Sequence, residues 1–457
     1  MFPYFGTLRS KIPPFHPDHM RIARGAMRIS VFVLAGRCAG ALKEMAVAYR
    51  YGTGPIVDAY QLTMTLVGWL PVVIATVFSI VLVPVFVELR AQPLADQTRF
   101  LGELEGWAIV VGAMLTLLLY ACWPFALHIG ATNLSAETRA ICRQMILTMG
   151  PIGALILVSS AYAARLQSRE RHINTLLEGL PAGFVLGLVL SAGGEVSALP
   201  LIGGTVGGYI VQTLILRMLS VQVDPIRYRL RLTLKAPQWQ RVYRAVRVLA
   251  LGQVVMCCTP ILDQFFVVAY GDGAVATVGY TNRVLSLLLS MGALAIGQAI
   301  LPILSDIIGV GDLSRARHTA LKWTLLMFLL GTGVALVSWL LAPQAVALLF
   351  QRGAFTARDT AAVAELFRWG QMQVPFYFSG LVLLTLFASA GRYREMAIIA
   401  LMSFVVKVVA NVVMTHWLAI PGIFAATALM HATTLIYYLV YVQGWPTGTA
   451  TTAAGQP

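Results

Sequence analysis

Charge is what this sequence has least of. Asp, Glu, Lys and Arg make up 11% of its 457 residues, against about 25% in ordinary soluble domains. That shortage excludes a soluble globular fold and a disordered chain. Acidic residues are scarcer than basic ones, 19 against 33, which leaves a net charge of +14. Cysteine is also rare. Cys38, Cys122, Cys142, Cys257 and Cys258 are odd in number and lie inside apolar segments. They exclude a disulfide framework or zinc spacing and read as small core residues. No glycine-rich nucleotide loop, metal-ligand spacing or nucleophile triad occurs, so nothing points to catalysis or ATP use. No cofactor is expected. Residues 1–25 lack the apolar stretch of a cleavable signal peptide, so none is expected.

What the chain has is apolar length. Hydrophobic residues reach 58% and mean hydropathy is +0.77. Runs of roughly 20 apolar residues recur, each long enough to cross a bilayer core of about 30 Å. No alternating ten-residue barrel pattern appears, so the spans are read as helices. Twelve are expected, at 26–50, 58–88, 104–128, 138–164, 173–193, 197–220, 247–270, 275–305, 319–341, 362–390, 395–417 and 421–443. With the N-terminus inside, 23 Lys and Arg fall on the cytoplasmic side, six outside and four within spans. That bias places both termini in the cytoplasm. It also explains the positive charge without nucleic acid. The segments are then a cytoplasmic stretch 1–25, an N-lobe 26–220, a basic linker 221–246, a C-lobe 247–443 and a tail 444–457. In the linker, Arg227, Arg229, Arg231 and Lys235 interleave with Tyr228, Leu230, Leu232 and Leu234. It reads as a topology anchor between bundles or as a surface for anionic lipid headgroups.

The chain is written twice. Tyr51-Gly52-Thr53-Gly54 recurs as Tyr270-Gly271-Asp272-Gly273, Tyr60 as Tyr280, and Val83-Pro84 as Leu301-Pro302, at offsets of 218 to 220. Six spans separate the copies, so both have one orientation. This is a parallel repeat, as in transporters whose substrate path lies between two halves.

Charges inside the spans are costly, at least about 2.5–3.5 kcal/mol each, and mark function or pairing. Arg37 and Glu44 share a face of the first span, with Lys43 on a neighbouring stripe. Asp58 opens the second, and Arg283 lies at the matching place in the second half. Together they predict a central cavity with a modest positive excess, suited to a phosphorylated headgroup. The competing reading is a set of internal ion pairs such as Arg37–Glu44. A second cluster comprises Asp263 in the seventh span, Lys407 and Asn411 on one face of the eleventh, and Thr427 in the twelfth. It reads as a cation or coupling site (Na+, H+ or the membrane potential), or as a buried Asp263–Lys407 pair. Glu178 and His431 receive no role. Gly203-Gly204 and Gly207-Gly208 form overlapping GxxxG motifs that favour close helix packing.

These residues resemble a known family. Gly36-Arg37-Cys38-Ala39-Gly40-Ala41-Leu42-Lys43-Glu44, then Tyr51-Gly52-Thr53-Gly54 and Asp58-Ala59-Tyr60, resemble the first two spans of the MurJ/MviN family, within the MOP exporter superfamily. Gly279-Tyr280-Thr281-Asn282-Arg283 resembles its span-eight motif, which usually has Asp before the Arg. Leu349-Phe350-Gln351-Arg352-Gly353-Ala354-Phe355-Thr356 resembles its external loop before span ten. The resemblance covers about residues 30–440. It implies an all-α polytopic membrane protein of two six-helix bundles around a central cavity, MOP/MATE-like, in a bacterial cytoplasmic membrane. The implied partner is an undecaprenyl-diphosphate-linked oligosaccharide, most directly lipid II, held by Arg37, Lys43, Asp58 and Arg283. Membrane lipids and cell-envelope synthesis proteins are further partners it suggests. A capsule, exopolysaccharide or O-antigen repeat unit is the alternative substrate. A cation-coupled drug exporter of the same superfamily is a more distant one. Some members carry a sodium-site pattern at Asp263, Asn411 and Thr427. The chain departs from the family in three places. Pro71 aligns with a second-span Arg, twelve spans stand where the family has fourteen, and Lys407 stands where sodium-binding members place a neutral ligand. Its ammonium is expected to replace the ion against Asp263.

Overall fold

The computed structural model describes residues 17–130, 133–169, 171 and 173–445. The expectations for residues 1–16 and 446–457 lie outside these. Sixteen α-helices follow one another: α1 (Pro17–Tyr51), α2 (Pro55–Leu89), α3 (Leu94–Gly130), α4 (Ala136–Met149), α5 (Ile152–Gln167), α6 (Ile173–Leu177), α7 (Leu180–Ser191), α8 (Leu199–Val223), α9 (Gln238–Val268), α10 (Ala274–Gly309), α11 (Leu313–Leu340), α12 (Ala342–Phe350), α13 (Ala357–Gly370), α14 (Val374–Ser389), α15 (Tyr393–Leu418) and α16 (Pro421–Gln443). No strand occurs among the described residues. Among the described residues, eight helical segments are long and apolar enough to cross a membrane, and the α4–α5 pair, bent by 40°, makes a ninth when taken as one span.

Every expected span is helical, but three are broken. The fourth divides at Gly150-Pro151, the fifth at Glu178-Gly179, and the tenth at a 3₁₀ turn, Gln371–Gln373. Proline and glycine explain the first two breaks, since one removes a backbone donor and the other frees the chain. The seventh span begins at Gln238 rather than near 247, because its first turns are polar and carry no hydropathy signal. Cys142 is the only cysteine fully in the core. Cys38 and Cys122 are exposed on the helix surface, contrary to the expectation of core positions.

Local chemistry sets the helix starts. Proline occupies the first turn of α2, α7, α8, α12, α14 and α16, where its missing N–H costs nothing. Ser135 caps α4, Asp312 caps α11, and Thr356 with Asp359 forms a capping box on α13. The first glycine of each repeated turn is left-handed, Gly52 at φ 58° and Gly271 at φ 84°, a region that favours glycine, whereas the second differs, Gly54 being extended and Gly273 left-handed.

Helices α7 and α8 meet through one register of the doubled GxxxG motif. A Cβ on Gly204 would lie 2.6 Å from Val185 Cα, and one on Gly208 2.5 Å from Pro181 Cα. Gly203 and Gly207 meet nothing closer than 3.6 Å. Gly204→Ala and Gly208→Ala are therefore expected to destabilise the protein by about 1–3 kcal/mol each. Gly203→Ala and Gly207→Ala should be near neutral. Thermal unfolding of the four purified variants separates the registers.

Candidate functional site

Two cavities that share part of their lining, about 250 and 570 Å³, open between helices of the two halves. Lys43, Glu44, Arg283 and Ser286 line both, and Arg37 lines the smaller. Helix α1 supplies Arg37, Lys43 and Glu44, and α10 supplies Arg283, so cations from both copies of the repeat face one space. Glu44 is the hub. Its Oε1 accepts from Lys43 Nζ at 2.8 Å and Arg283 Nε at 2.9 Å. Lys43 also sits 5.4 Å from the centre of the Tyr60 ring. The Lys43 and Glu44 side chains are buried, whereas that of Arg283 is 59% exposed. Arg37 is exposed and forms no ion pair among the described residues.

This differs from the sequence expectation in two respects. Arg37 and Glu44 share a face but do not pair, because Lys43 and Arg283 take the carboxylate. Asp58 lines neither cavity. It is 1% exposed and accepts from the backbone N–H of Gly273 and, at 2.6 Å, of Ala276. It holds the first turn of α10, where unpaired N–H groups attract a carboxylate. With Asp58 withdrawn, three cations face one carboxylate in the smaller cavity.

The second cluster is assembled as a cage around Lys407, which is fully buried. Its Nζ lies 2.8 Å from Asp263 Oδ1, 3.0 Å from the Ile423 carbonyl and 2.5 Å from Thr427 Oγ1. Asn411 Nδ2 donates to the same Asp263 oxygen at 2.9 Å. Asp263 and Thr427 line the larger cavity. Pro71 lies elsewhere, in a separate apolar cavity with Trp69 and Trp123.

Two features carried no recognised sequence signal. The first is the polar lining of the larger cavity by Gln61, Thr259, Gln264, Asn282 and Gln373. Uncharged amides and hydroxyls inside apolar runs hardly alter hydropathy. The second lies at the end bearing the Tyr-Gly turns. Thr53 Oγ1 donates to Asp359 Oδ1 at 2.6 Å, linking the first turn to the start of α13. Thr138 Oγ1 donates to Asp272 Oδ1 at 2.8 Å, linking the second turn to the start of α4. These are matching positions of the repeat, so the same joint is made twice, once in each direction. Beside it, the Leu349–Thr356 segment docks on α1. Ala354 N donates to the Tyr49 carbonyl at 2.8 Å, and Phe355 packs edge-on to Tyr280 at 5.3 Å. The buried Tyr280 hydroxyl donates to the Gly52 carbonyl at 2.9 Å. These bonds tie the two halves of the repeat together at this end of the molecule.

Comparison with known proteins agrees with this architecture. The family model described as lipid II flippase MurJ matches residues 47–453. A probable lipid II flippase MurJ of Bdellovibrio bacteriovorus is 29% identical over 228 residues, 49% of this chain and 43% of that protein. One from Rhizobium meliloti is 24% identical over 348 residues, 73% of this chain and 64% of that protein. The chain thus matches less than two thirds of the length of either relative. A solved lipid II flippase MurJ in an inward closed conformation superposes with a TM-score of 0.78, at 16% identity, covering 92% of this chain and 88% of that one. An inward-facing MATE transporter of the MOP superfamily gives 0.69, at 12% identity, covering 90% and 97%. On the match across most of its length, the chain belongs to the lipid II flippase MurJ family.

Proposed function

We propose that this protein carries a polyprenyl-diphosphate-linked glycan, lipid II foremost, from the inner to the outer leaflet of a bacterial cytoplasmic membrane by alternating access. The observation that carries the reading is the convergence of Arg37, Lys43 and Arg283 on one cavity with a single carboxylate, Glu44, among them. A diphosphate needs cationic, fork-shaped donors, and arginine provides them. A negative-inside potential favours outward movement of bare phosphate, by about 2.3 kcal/mol per charge per 100 mV, so the barrier the protein must lower is the burial of unpaired charge inside the membrane. Three cations over one carboxylate let the phosphates travel largely neutralised. The polar lining contributed by Gln61, Asn282 and Gln373 suits the sugar hydroxyls. The end carrying the Tyr-Gly turns faces outward, following the distribution of basic residues. The direct test is complementation of a strain depleted of its lipid II flippase, with a capsule-export mutant in parallel. Rescue of the first alone is the expected result, and rescue of the second alone would assign a different glycan.

The paired Thr–Asp joints would then hold the outer side shut. Asp272→Ala with Asp359→Ala is expected to loosen that closure, at about 1–3 kcal/mol per joint. A cysteine in place of Ala41, inside the cavity, should react several-fold faster with an impermeant maleimide added from outside. Burial alone would raise the Asp272 carboxyl, but bonds from Ser135 and Thr138 outweigh it and hold it below its ordinary range. A lowered carboxyl contributes its stabilisation above the ordinary carboxylate pKa and loses it as pH falls through the lowered value. The labelling rate, corrected for maleimide chemistry, should therefore stay flat from about pH 7 to 5 and rise only in stronger acid.

A further inference from the structure

The segment between α8 and α9 is fixed to the protein by hydrogen bonds, by close backbone contact and by Ile226 and Tyr228, while three of its leucines stay exposed, which water disfavours. The anchors are buried carboxylates on α3. Glu103, fully buried, accepts from Thr233 Oγ1 at 2.5 Å, from the Lys235 and Ala236 amides at 3.2 and 3.1 Å, and from Trp239 Nε1 at 2.8 Å. Glu105 accepts from Tyr228 Oη at 2.5 Å. The backbone lies directly on α3, and only glycine permits it. A Cβ on Gly102 would stand 2.2 Å from the Arg229 carbonyl, and one on Gly106 2.4 Å from that of Arg231. Leu230, Leu232 and Leu234 meanwhile remain 57%, 62% and 57% exposed, and Arg227, Arg229, Arg231 and Lys235 are exposed with them. A mere tether, free to choose, would turn its leucines inward. This one is held so that it cannot.

Its depth identifies the surroundings. The uncharged run Trp107–Phe125 of α3 supplies nearly the ~30 Å of a hydrocarbon core, which puts Trp107 at the edge, where tryptophan is enriched. Trp107 Nε1 donates to the Thr233 carbonyl at 3.2 Å. The strap therefore runs along the membrane–water boundary. Leucines at this level enter the acyl region and arginines meet headgroup phosphates. We infer that residues 227–235 form a preformed docking strap for anionic phospholipids in the leaflet at that end of the molecule. Charge complementarity selects the occupant. Four exposed cations stand along nine residues that include no acidic side chain, so an anionic headgroup is preferred over a zwitterionic one.

The test uses the full chain, purified in detergent, with lipids retained on it counted by native mass spectrometry. The wild type is expected to prefer phosphatidylglycerol to phosphatidylcholine. Each basic residue near an anionic surface is worth about fivefold in affinity, so R229Q/R231Q/K235Q should weaken phosphatidylglycerol binding on the order of a hundredfold. L230S/L232S/L234S should weaken both lipids and leave the preference. Inorganic phosphate added in excess should not displace the lipid, and displacement would reassign the strap to a free anion. In liposomes, a photo-crosslinking benzoylphenylalanine in place of Leu232 should capture phospholipid. Capture of protein alone, or unchanged phosphatidylglycerol binding by the charge variant, overturns the inference. Since all six positions are exposed, folding is not expected to fail. Were it to, the crosslink made in the otherwise wild-type chain decides.

Discussion

Arg283→Ala is expected to abolish translocation, lowering the rate about 100-fold or more. The guanidinium spends Nε on Glu44, lines both cavities and is 59% exposed, so its two Nη groups are free for a ligand. A hydrogen bond to a charged group is worth about 1.5–3 kcal/mol, and two lost from a diphosphate account for that factor. Arg283→Lys keeps the charge but not the fork, so it should recover only part of the rate. Arg37→Ala should fall nearly as far, because Arg37 has no ion pair among the described residues and is available to substrate. Glu44→Gln separates substrate binding from cavity charge. It keeps every cation and removes the acid that orients two of them, so it should bind product more tightly and release it more slowly. Lipid II made accessible to external enzyme in vesicles measures the rates, with protein abundance as the control. Full activity in both arginine variants would remove these side chains from the substrate site.

Lys407→Ala should be the most damaging single change to stability. It leaves Asp263, whose side chain is 19% exposed toward the larger cavity, without its partner, at a cost of up to about 3 kcal/mol. The carbonyl of Ile423, the Thr427 hydroxyl and Asp263 would then surround an empty place of cation size. Asp263 borders the larger cavity, so an ion has a route to it. If the ammonium stands in for an ion, sodium should restore the melting temperature of Lys407→Ala, and choline should not. The double change Asp263→Asn with Lys407→Met distinguishes a brace from a working carboxylate. Replacing both partners of a buried pair is often tolerated, so the double variant is expected to fold. Retained transport would then mean that the pair only braces α9 against α15. Loss of transport in a stable protein would mean that the carboxylate takes part.

The helices were legible because apolar length is a strong signal, and Arg37, Glu44 and Arg283 stood out because charge inside such a run is conspicuous. Breaks such as Gly370–Gln373 were not legible, since membrane helices tolerate interruptions that neighbours repair. Asp58 was misplaced for a different reason. Its carboxylate faces the backbone of α10, more than 200 residues away in sequence, and backbone donors leave no mark in the side-chain alphabet. Thr53 and Asp359 were silent too, being ordinary turn and cap residues that matter only because the two ends of the repeat approach each other. The linker was half legible. Its alternation showed in the letters, but which side faced the protein depended on Glu103.

The joints at the turn end also bear on ancestry. Both hydroxyls, Thr53 and Thr138, belong to the first copy, and both carboxylates, Asp272 and Asp359, to the second. A homodimer of the first half would set alcohol against alcohol at each joint, and a homodimer of the second would set anion against anion. At these two joints the duplicated modules have thus diverged into chemical complements of each other.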